Sequence, residues 1–547
     1  MLVPRLIVFS LALGGLRDPR LFALAGAAAW AAVWLQRPAL GPAAAWLPWL
    51  GWAALSTAVS AQPLAGLPVL ARWSAVLACA SLAASWNARE REDWLKSFLV
   101  VAAALAAAAL VTGGRHDWRN EMTGLLPPYY NYTAFALSAA AAAAAAWVLH
   151  PRGAKVDDAK AAVALCALAV ACLFLARSRG ALLGLSSAAA VWAVRRWGAR
   201  AAVPLGVAAA LFAGAIAGGL LPDPVEDLLF KKYRLHAEAR PRLWRAAAAV
   251  ASDRPWLGTG PGSFAVGFRH VPVVFEDGAA RWSLSTDYAH SEPLQTAAET
   301  GWAGLALWLL GAGAALRALL RRADADPIRE AAAVAAAAMT AQIAVDNMLQ
   351  IPALAALWLC ALAISAPPAE MKPRPWPPAA ILAGAALVLT AWIPGTLAAT
   401  SPSRAAAIFP AEPGPREDLA YAAMAAGRAA EAEAHWAAAQ RLEPFNAIYP
   451  WRRAQLAGVA GQWARAEPLA ARAIELEPGF FSARLLRAEA LVRLGRIREA
   501  RAELEEVLRR RASPLPAAAS GYDRTVASFD EPSFQRVSAL ARRPPPR

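Results

Sequence analysis

A histidine and a cluster of arginines occur in the one long polar interval of an otherwise apolar chain. Arg240, Arg242 and Arg245 lie close together, and His290 follows at the end of the interval. A guanidinium group can hold a phosphate through two hydrogen bonds and keeps its charge at any physiological pH. A neutral imidazole can take the proton of a hydroxyl near pH 7. These residue types therefore fit the binding of a phosphate-bearing molecule and the activation of an alcohol.

The arginine cluster flanks Leu243 and Trp244 on a predicted amphipathic helix, which runs toward Asp253 and ends at Pro255. The same arginines could instead extend to lipid headgroups or pair with Glu238 and Asp253. Both interpretations stand at this point.

Two further features flank the histidine. The glycine alternation GTGPGSF at 258–264 could form a backbone nest for an anion, but Pro261 favours a plain turn. Gln295 and Glu299 follow His290 on the next predicted helix, at spacings that do not place all three on one stripe. We therefore expect them to act as supporting residues whose relation to the histidine comes from packing.

The composition predicts a membrane protein. The 547 residues are 58% hydrophobic and 17% charged, with a mean hydropathy of +0.36, which is too apolar for one soluble globule. Runs rich in Ala and Leu are about 20 residues long, the length that an α-helix needs to cross the hydrocarbon core. The predicted fold class is all-α, a polytopic helical bundle of about 12–13 spans. The spans are placed near 2–16, 21–36, 43–59, 66–86, 97–112, 131–149, 160–176, 180–195, 200–221, 291–316, 329–348, 351–366 and 378–398.

The distribution of Lys and Arg predicts the orientation, because cytoplasmic loops are enriched in these residues. With the N-terminus inside, the inner loops hold the larger share. Residues 222–290 and everything after about 399 then lie outside the cytoplasm. Arg177 and Arg179 join two spans with almost no loop, so they lie at the outer membrane boundary, where a charge needs a partner. They either extend to headgroups or bind a buried phosphate.

The net charge and the positions of the cysteines argue against several other classes of protein. The net charge of +15 reflects the inner-loop bias and a basic C-terminal region, so nucleic-acid binding is set aside. All four cysteines fall in predicted spans and no pair has zinc-ligand spacing, which argues against a disulfide framework or a zinc site. No Asp-x-Asp pattern occurs in the outer loop, and no bound metal is expected.

A period of 34 residues marks the C-terminal region. It resembles the tetratricopeptide repeat, with Gly at the tight turn, Ala where two helices touch and Pro after the second helix. Such repeats stack into a solenoid with a concave surface for a protein partner. We expect a membrane domain at 1–400, repeats at 412–514, and a capping helix with a disordered tail at 515–547. The residues that share the period are Gly427, Gly461 and Gly495; Ala432, Ala466 and Ala500; and Pro444 and Pro478.

Three segments in this order resemble the O-antigen ligase and polymerase superfamily of bacterial envelope glycosyltransferases. They are SRGALLGL at 178–185, RLWRAAAAVASDRPWLGTGPGSF at 242–264 and HSEPLQTAAETGWAG at 290–304. GLLPPYYNYTAFAL at 124–137, with Asn131 before a span, is similar to that family's upstream loop and helix start. The resemblance covers roughly residues 20–400.

The resemblance implies a metal-independent, inverting glycosyltransferase of the inner membrane that needs no cofactor. Its donor would be a glycan linked to a polyprenyl diphosphate, and its acceptor a glycan, lipid A core or protein at the periplasmic face. Arg179 and Arg242 match the arginines taken to hold the diphosphate, with Arg177 and Arg240 nearby. His290 matches the histidine taken to activate the acceptor hydroxyl. The next residue is Ser291, where the family usually has Asn, so the amide's role is not carried over.

Other functions remain as alternatives. A polymerase, which joins two lipid-linked units, shares these motifs with a ligase. A non-enzymatic membrane scaffold would need one span rather than many. A transporter or flippase would carry polar residues in mid-span. Asp346 and Asn347 in AVDNMLQ are the polar exception, and they either line the donor cavity or mark a helix end.

Overall fold

The computed structural model is helical throughout the part of the chain that it describes. Among the described residues, the only pairing of extended backbone is an isolated bridge between Ala39 and Pro375. Arg177, and nearly all of the predicted span at 200–221, lie outside the described residues. The structure describes residues 2–113, 125–127, 130–176, 178–201, 203–204, 206–207, 239–271, 285–319, 326–366, 374–512 and 521–542.

The first half of the membrane domain has a helix at every predicted span up to residue 195. The predicted span at 43–59 is divided, because a 3-10 helix at Gly41–Trp46 precedes the α-helix, with Pro48 in its first turn. The helices are α1 (Leu2–Phe9), α2 (Pro19–Gln36), α3 (Leu47–Val59), α4 (Pro63–Ala84), α5 (Ala88–Gly113), α6 (Tyr130–Leu149), α7 (Val156–Ala176) and α8 (Arg179–Trp197).

The second half begins with the predicted arginine helix, which ends at Asp253 as expected and is followed by Pro255. The helix after His290 is kinked at Gly301, where φ is 76°, so its polar first part and apolar second part run in different directions. The helices are α9 (Ala239–Asp253), α10 (Phe264–His270), α11 (Glu292–Leu319), α12 (Pro327–Ile343), α13 (Pro352–Ser365), α14 (Pro378–Thr390), α15 (Ile393–Thr400) and α16 (Pro402–Ile408).

Among the residues that the structure describes, four stretches are long and apolar enough to cross a membrane by length and composition. They are Pro63–Ala84, Ala88–Gly113, Tyr130–Leu149 and Pro378–Thr400. The chain is therefore a membrane protein, while the larger number of spans stays a prediction.

The centre of the membrane domain is a packed set of alanine-rich helices. α6 and α12 make the most extensive contact, and both pack against α8. Alanine lets helix backbones approach closely, which strengthens dispersion contacts where lipid offers no hydrophobic drive. Arg195 of α8 and Glu330 of α12 form a buried ion pair of 2.7 Å, and Arg195 also donates to the carbonyl of Leu319 at 2.8 Å. These contacts fix the two helices, whose opposite ends lead to the polar residues described below.

The C-terminal region contains three antiparallel helix pairs, as the 34-residue period predicts. The turns within the pairs fall at Gly427, Gly461 and Gly495, whose φ angles are 72°, 70° and 78°, values that favour glycine. Two more helices follow, of which the first packs on the second and third pairs. The helices are α17 (Pro413–Ala425), α18 (Ala429–Leu442), α19 (Ile448–Val459), α20 (Trp463–Leu476), α21 (Phe481–Arg493), α22 (Ile497–Arg511), α23 (Gly521–Ala527) and α24 (Glu531–Arg542).

Candidate active site

His290 and Asp346 form the centre of the site. His290 immediately precedes Ser291 and α11, and Asp346 lies in the turn that follows α12. The imidazole Nδ1 is 3.2 Å from the Asp346 Oδ1 atom. The Asp346 side chain is 1% exposed, whereas the His290 side chain is 29% exposed. The carboxylate is thus buried behind a ring that still has an accessible side.

Asp346 joins the histidine to two other segments. Arg240 of α9 donates to its Oδ2 atom at 2.9 Å, and the Asn131 amide of α6 donates to the same atom at 2.8 Å. Asn131 in turn accepts a hydrogen bond of 2.9 Å from Ser178, the N-cap of α8. A buried carboxylate is costly unless it is paired and hydrogen-bonded, and these donors meet that requirement. The network therefore brings together residues from five separate parts of the sequence.

The backbone of His290 has a positive φ of 51°, a conformation that non-glycine residues seldom adopt. Hydrogen bonds on either side hold it there. Trp244 Nε1 donates to the His290 carbonyl at 3.1 Å, and Gln295 Oε1 accepts from the Ala289 amide at 2.7 Å. The next amide, of Ser291, donates to Asn347 Oδ1 at 3.1 Å. Strained backbone of this kind persists only where the surroundings enforce it, and it is common at functional sites.

The glycine loop is attached to the helix that follows the histidine. Gln295 Nε2 donates to Glu299 Oε1 at 2.7 Å, and the same carboxylate accepts the backbone N–H groups of Gly262 and Phe264. The Gly260 amide donates to the Glu299 carbonyl at 2.8 Å. Because these amides are engaged within the protein, the loop is the plain turn that Pro261 favours, and the interpretation as an anion nest is wrong. Gln295 thus links Glu299 to the residue before His290, while the supporting role of both residues stays a prediction.

The predicted arginines differ in how closely the structure links them to the histidine. Arg240 contacts Asp346 directly. Arg179 is the first residue of α8, and both Arg179 and Arg240 lie within electrostatic range of the Tyr130 hydroxyl. Arg242 is half-buried on the same helix as Arg240. Arg177 lies outside the described residues.

Sequence reasoning gave the central roles to His290 and the arginines and left Asp346 open between two interpretations. The helix end is confirmed, since α12 ends at Ile343. The carboxylate contacts His290 and Arg240, and its place in a donor cavity stays a prediction. The signal was an acid and an amide together in an apolar stretch, AVDNMLQ. Ser178 and Trp244 were missed, because nothing in their local sequence indicates a partner more than 40 residues away.

The arrangement suits proton transfer beside a bound anion. A buried carboxylate that accepts from Nδ1–H leaves the imidazole Nε2 unprotonated, so that Nε2 can accept a proton. Guanidinium groups nearby can hold a diphosphate. In the part of the chain that the structure describes, no group of three or more His, Cys, Asp or Glu side chains is placed to hold a metal ion.

Comparison with protein families assigns two regions of the chain. Residues 164–309 match a family model described as O-antigen ligase, and residues 460–521 match one described as tetratricopeptide repeat. These matches confirm the resemblance to O-antigen ligase-type membrane proteins with C-terminal repeats. The first match includes Arg179, α9 and His290 but ends before Asp346, so Asp346 enters the site on geometry alone. No curated protein matches the chain.

Proposed function

We propose that this protein transfers a glycan from a polyprenyl diphosphate to an acceptor hydroxyl at the periplasmic face of the bacterial inner membrane. The observation that carries the proposal is the contact of both His290 and Arg240 with the buried Asp346. The family match supplies the reaction class, and this contact supplies residues able to perform it.

Arg179, Arg240 and Arg242 bind the donor diphosphate in this proposal. As the bond between the anomeric carbon and the diphosphate oxygen breaks, its electrons pass to that oxygen. Guanidinium groups fixed in advance stabilise the negative charge that develops there. No metal is required for this step, because the arginines supply the positive charge.

His290 activates the acceptor. Its Nε2 atom removes the hydroxyl proton as the oxygen attacks the anomeric carbon from the face opposite the diphosphate, which inverts the configuration. Asp346 holds the ring orientation through Nδ1 and stabilises the imidazolium that forms. The hydrogen bonds that Arg240 and Asn131 donate to Asp346 hold its carboxylate in place.

A cavity of about 350 Å³ supports a lipid-linked donor. Its walls are apolar and come mainly from α1, α2 and α4, with Leu16 and Pro352 among them. Leu16 precedes Arg17, whose guanidinium lies 5.8 Å from the Tyr132 ring centre on α6, one residue after Asn131. In the proposal the polyprenyl chain occupies this cavity, and Arg17 and Tyr132 connect its wall to the segment that carries Asn131.

The alternative within the class is a polymerase, and the products in a deletion strain separate the two. A strain that lacks a ligase accumulates long lipid-linked polymer, whereas a strain that lacks a polymerase makes single-unit products. The strain is complemented with the unaltered gene or with His290→Ala. If His290→Ala restores the missing glycan fully, the proposed catalytic role is wrong.

The repeats are proposed to lie in the periplasm beside the site. Their concave surface is of a kind that binds protein segments. Recruitment of an acceptor or an assembly protein would use part of that surface.

A further inference from the structure

The helix α10 links the glycine loop to the repeat region. At its end, Arg269 forms an ion pair with Glu443, and the two side chains are 13% and 6% exposed. The Arg269 guanidinium also lies 5.0 Å from the centre of the Tyr522 ring. The next residue, His270, places its ring centre 3.8 Å from that of Phe445. Two consecutive residues at the end of α10 therefore pack against the repeats.

The receiving surface is organised to accept a guanidinium group. Glu443 follows the first helix pair, and its Oε2 atom accepts hydrogen bonds from Asn446 at 3.1 Å and from the Tyr449 hydroxyl at 3.2 Å. Tyr522 belongs to α23, which packs on the first helices of the second and third pairs. The Tyr522 hydroxyl donates to Glu477 at 2.9 Å, the residue that corresponds to Glu443 one repeat later. The Glu443 carboxylate is thus positioned by Asn446 and Tyr449, two donors that belong to the repeats.

The other face of α10 packs on the arginine helix. Phe264 and Phe268 are fully buried, and they belong to one apolar cluster with Leu243, Ala247 and Val250 of α9. The same helix carries Arg240, which contacts Asp346. Side chains in a close-packed core transmit displacement because no free volume absorbs it. A continuous series of contacts therefore runs from Glu443 through α10 and α9 to the site.

A second contact attaches the repeats to the membrane domain. The Leu64 amide, in the first turn of α4, donates to Glu412 Oε1 at 2.8 Å, immediately before the first repeat helix. Gly262 of the glycine loop lies against the same turn, since a Cβ built on it would be 2.4 Å from the Ala65 carbonyl oxygen. The repeats are therefore held at two places near the loop.

We infer that the repeats clamp the arginine helix over the site, and that Arg269 is the positioning residue that transmits their hold. The occupant of this part of the repeat surface is the chain's own α10. Burial and the charge of Arg254 lower the pKa of His270, so the ring that contacts Phe445 is neutral near pH 7. The inference rests on the proposed function for its effect on transfer, while the contact itself can be measured independently.

The test uses the full-length protein in lipid vesicles with a lipid-linked donor. Arg269→Ala is expected to lower transfer about tenfold or more, because a small displacement of positioning groups is costly. Arg472→Ala is the matched control, since Arg472 is an exposed repeat arginine that pairs with Glu475, and it should leave transfer unchanged. His270 and Phe445 are then both replaced by cysteine, as His270→Cys and Phe445→Cys. A short bis-maleimide can cross-link the two cysteines and so hold α10 against the repeats.

Closing the contact in the Arg269→Ala background should restore most of the lost transfer. An unchanged rate in Arg269→Ala, or a loss that cross-linking does not relieve, would overturn the inference. The cross-linking yield provides a readout without activity: it should be high with Arg269 and fall in Arg269→Ala, and equal yields would also refute the clamp. Failure of the proposed function would show separately, as full transfer by His290→Ala.

Discussion

His290 and Asp346 are 3.2 Å apart although 56 positions separate them in the sequence. The contact joins the start of α11 to the end of α12, two segments that approach each other at one end of the membrane domain. A histidine with a buried carboxylate on one nitrogen has a defined tautomer and a stabilised charged form. The pair is the part of the site most open to quantitative test.

The first prediction concerns this pair. Asp346→Asn should lower the transfer rate by about 10²- to 10⁴-fold, because an amide can hold the ring in the wrong tautomer and cannot stabilise the imidazolium. His290→Ala should cost about as much, and the double variant little more than either alone, since residues that act as a unit are not additive. The measurement is the initial rate in vesicles. Additive losses would show that the two residues act separately.

The second prediction separates the arginines. Arg179→Ala, Arg240→Ala and Arg242→Ala should each weaken donor use by about 10- to 100-fold, the amount expected for a charge-assisted hydrogen bond. Arg245→Ala is the control on the same helix, because Arg245 is exposed and donates only weakly, to the Pro241 carbonyl at 3.4 Å. The measurement is kcat/KM for the lipid-linked donor. A loss in Arg245→Ala equal to those in Arg240→Ala and Arg242→Ala would point to general damage of α9.

The third prediction concerns the attachment of the glycine loop. Gly258 has a φ of +63°, and a Cβ there would be 2.4 Å from the Glu299 carbonyl carbon. Gly258→Ala should lower the free energy of unfolding by about 1–3 kcal/mol, through backbone strain and steric overlap. Gly51→Ala is the control, since Gly51 lies within α3 and a Cβ there meets nothing within 4 Å. Thermal unfolding in detergent measures both, and equal midpoints would contradict the prediction.

The fourth prediction concerns metal dependence. Transfer should continue in the presence of a strong chelator, because guanidinium groups provide the charge that balances the leaving diphosphate. The rate is compared before and after chelation, and again after Mg²⁺ is added. A rate that collapses with the chelator and returns with Mg²⁺ would assign part of that charge to a cation.

The fifth prediction concerns topology. A periplasm-dependent reporter fused after residue 410 should be active, and a cytoplasm-dependent reporter at the same place should be inactive. The expectation follows from the excess of Lys and Arg in the predicted inner loops. The opposite pattern would invert the orientation and remove the periplasmic placement of both site and repeats.

Much of the fold follows from the sequence, because long apolar runs and a regular repeat are local signals. The helix at Ala239–Asp253 and the turns at Gly427, Gly461 and Gly495 lie where the pattern places them. The division at Gly41–Trp46 and the kink at Gly301 were not predicted. Gly301 accommodates the close approach of the Pro255 carbonyl oxygen, 2.5 Å from a Cβ built there, and such a contact depends on packing.

The sequence predicts individual residues of the site but not the contacts between them. The residue types of Arg240 and His290 indicate their chemistry, and the resemblance orders them along the chain. Their meeting at Asp346 depends on how α9, α11 and α12 pack, which no local pattern encodes. The same holds for Arg269, which carries no signal in the sequence and gains its significance from a surface some 170 residues away.

Because His290 has a positive φ, a replacement at this position can change both the catalytic side chain and the stability of the turn. The choice of replacement decides whether the two effects can be measured separately. Asn tolerates the left-handed region better than most residues, so His290→Asn keeps the main-chain geometry accessible while it removes the basic nitrogen. Ala at the same position removes the ring and also meets a less favourable conformation. The loss of transfer in His290→Asn therefore reports the contribution of the imidazole more directly. Any difference in transfer rate between the Asn and Ala variants measures the effect of disturbing the backbone of the turn.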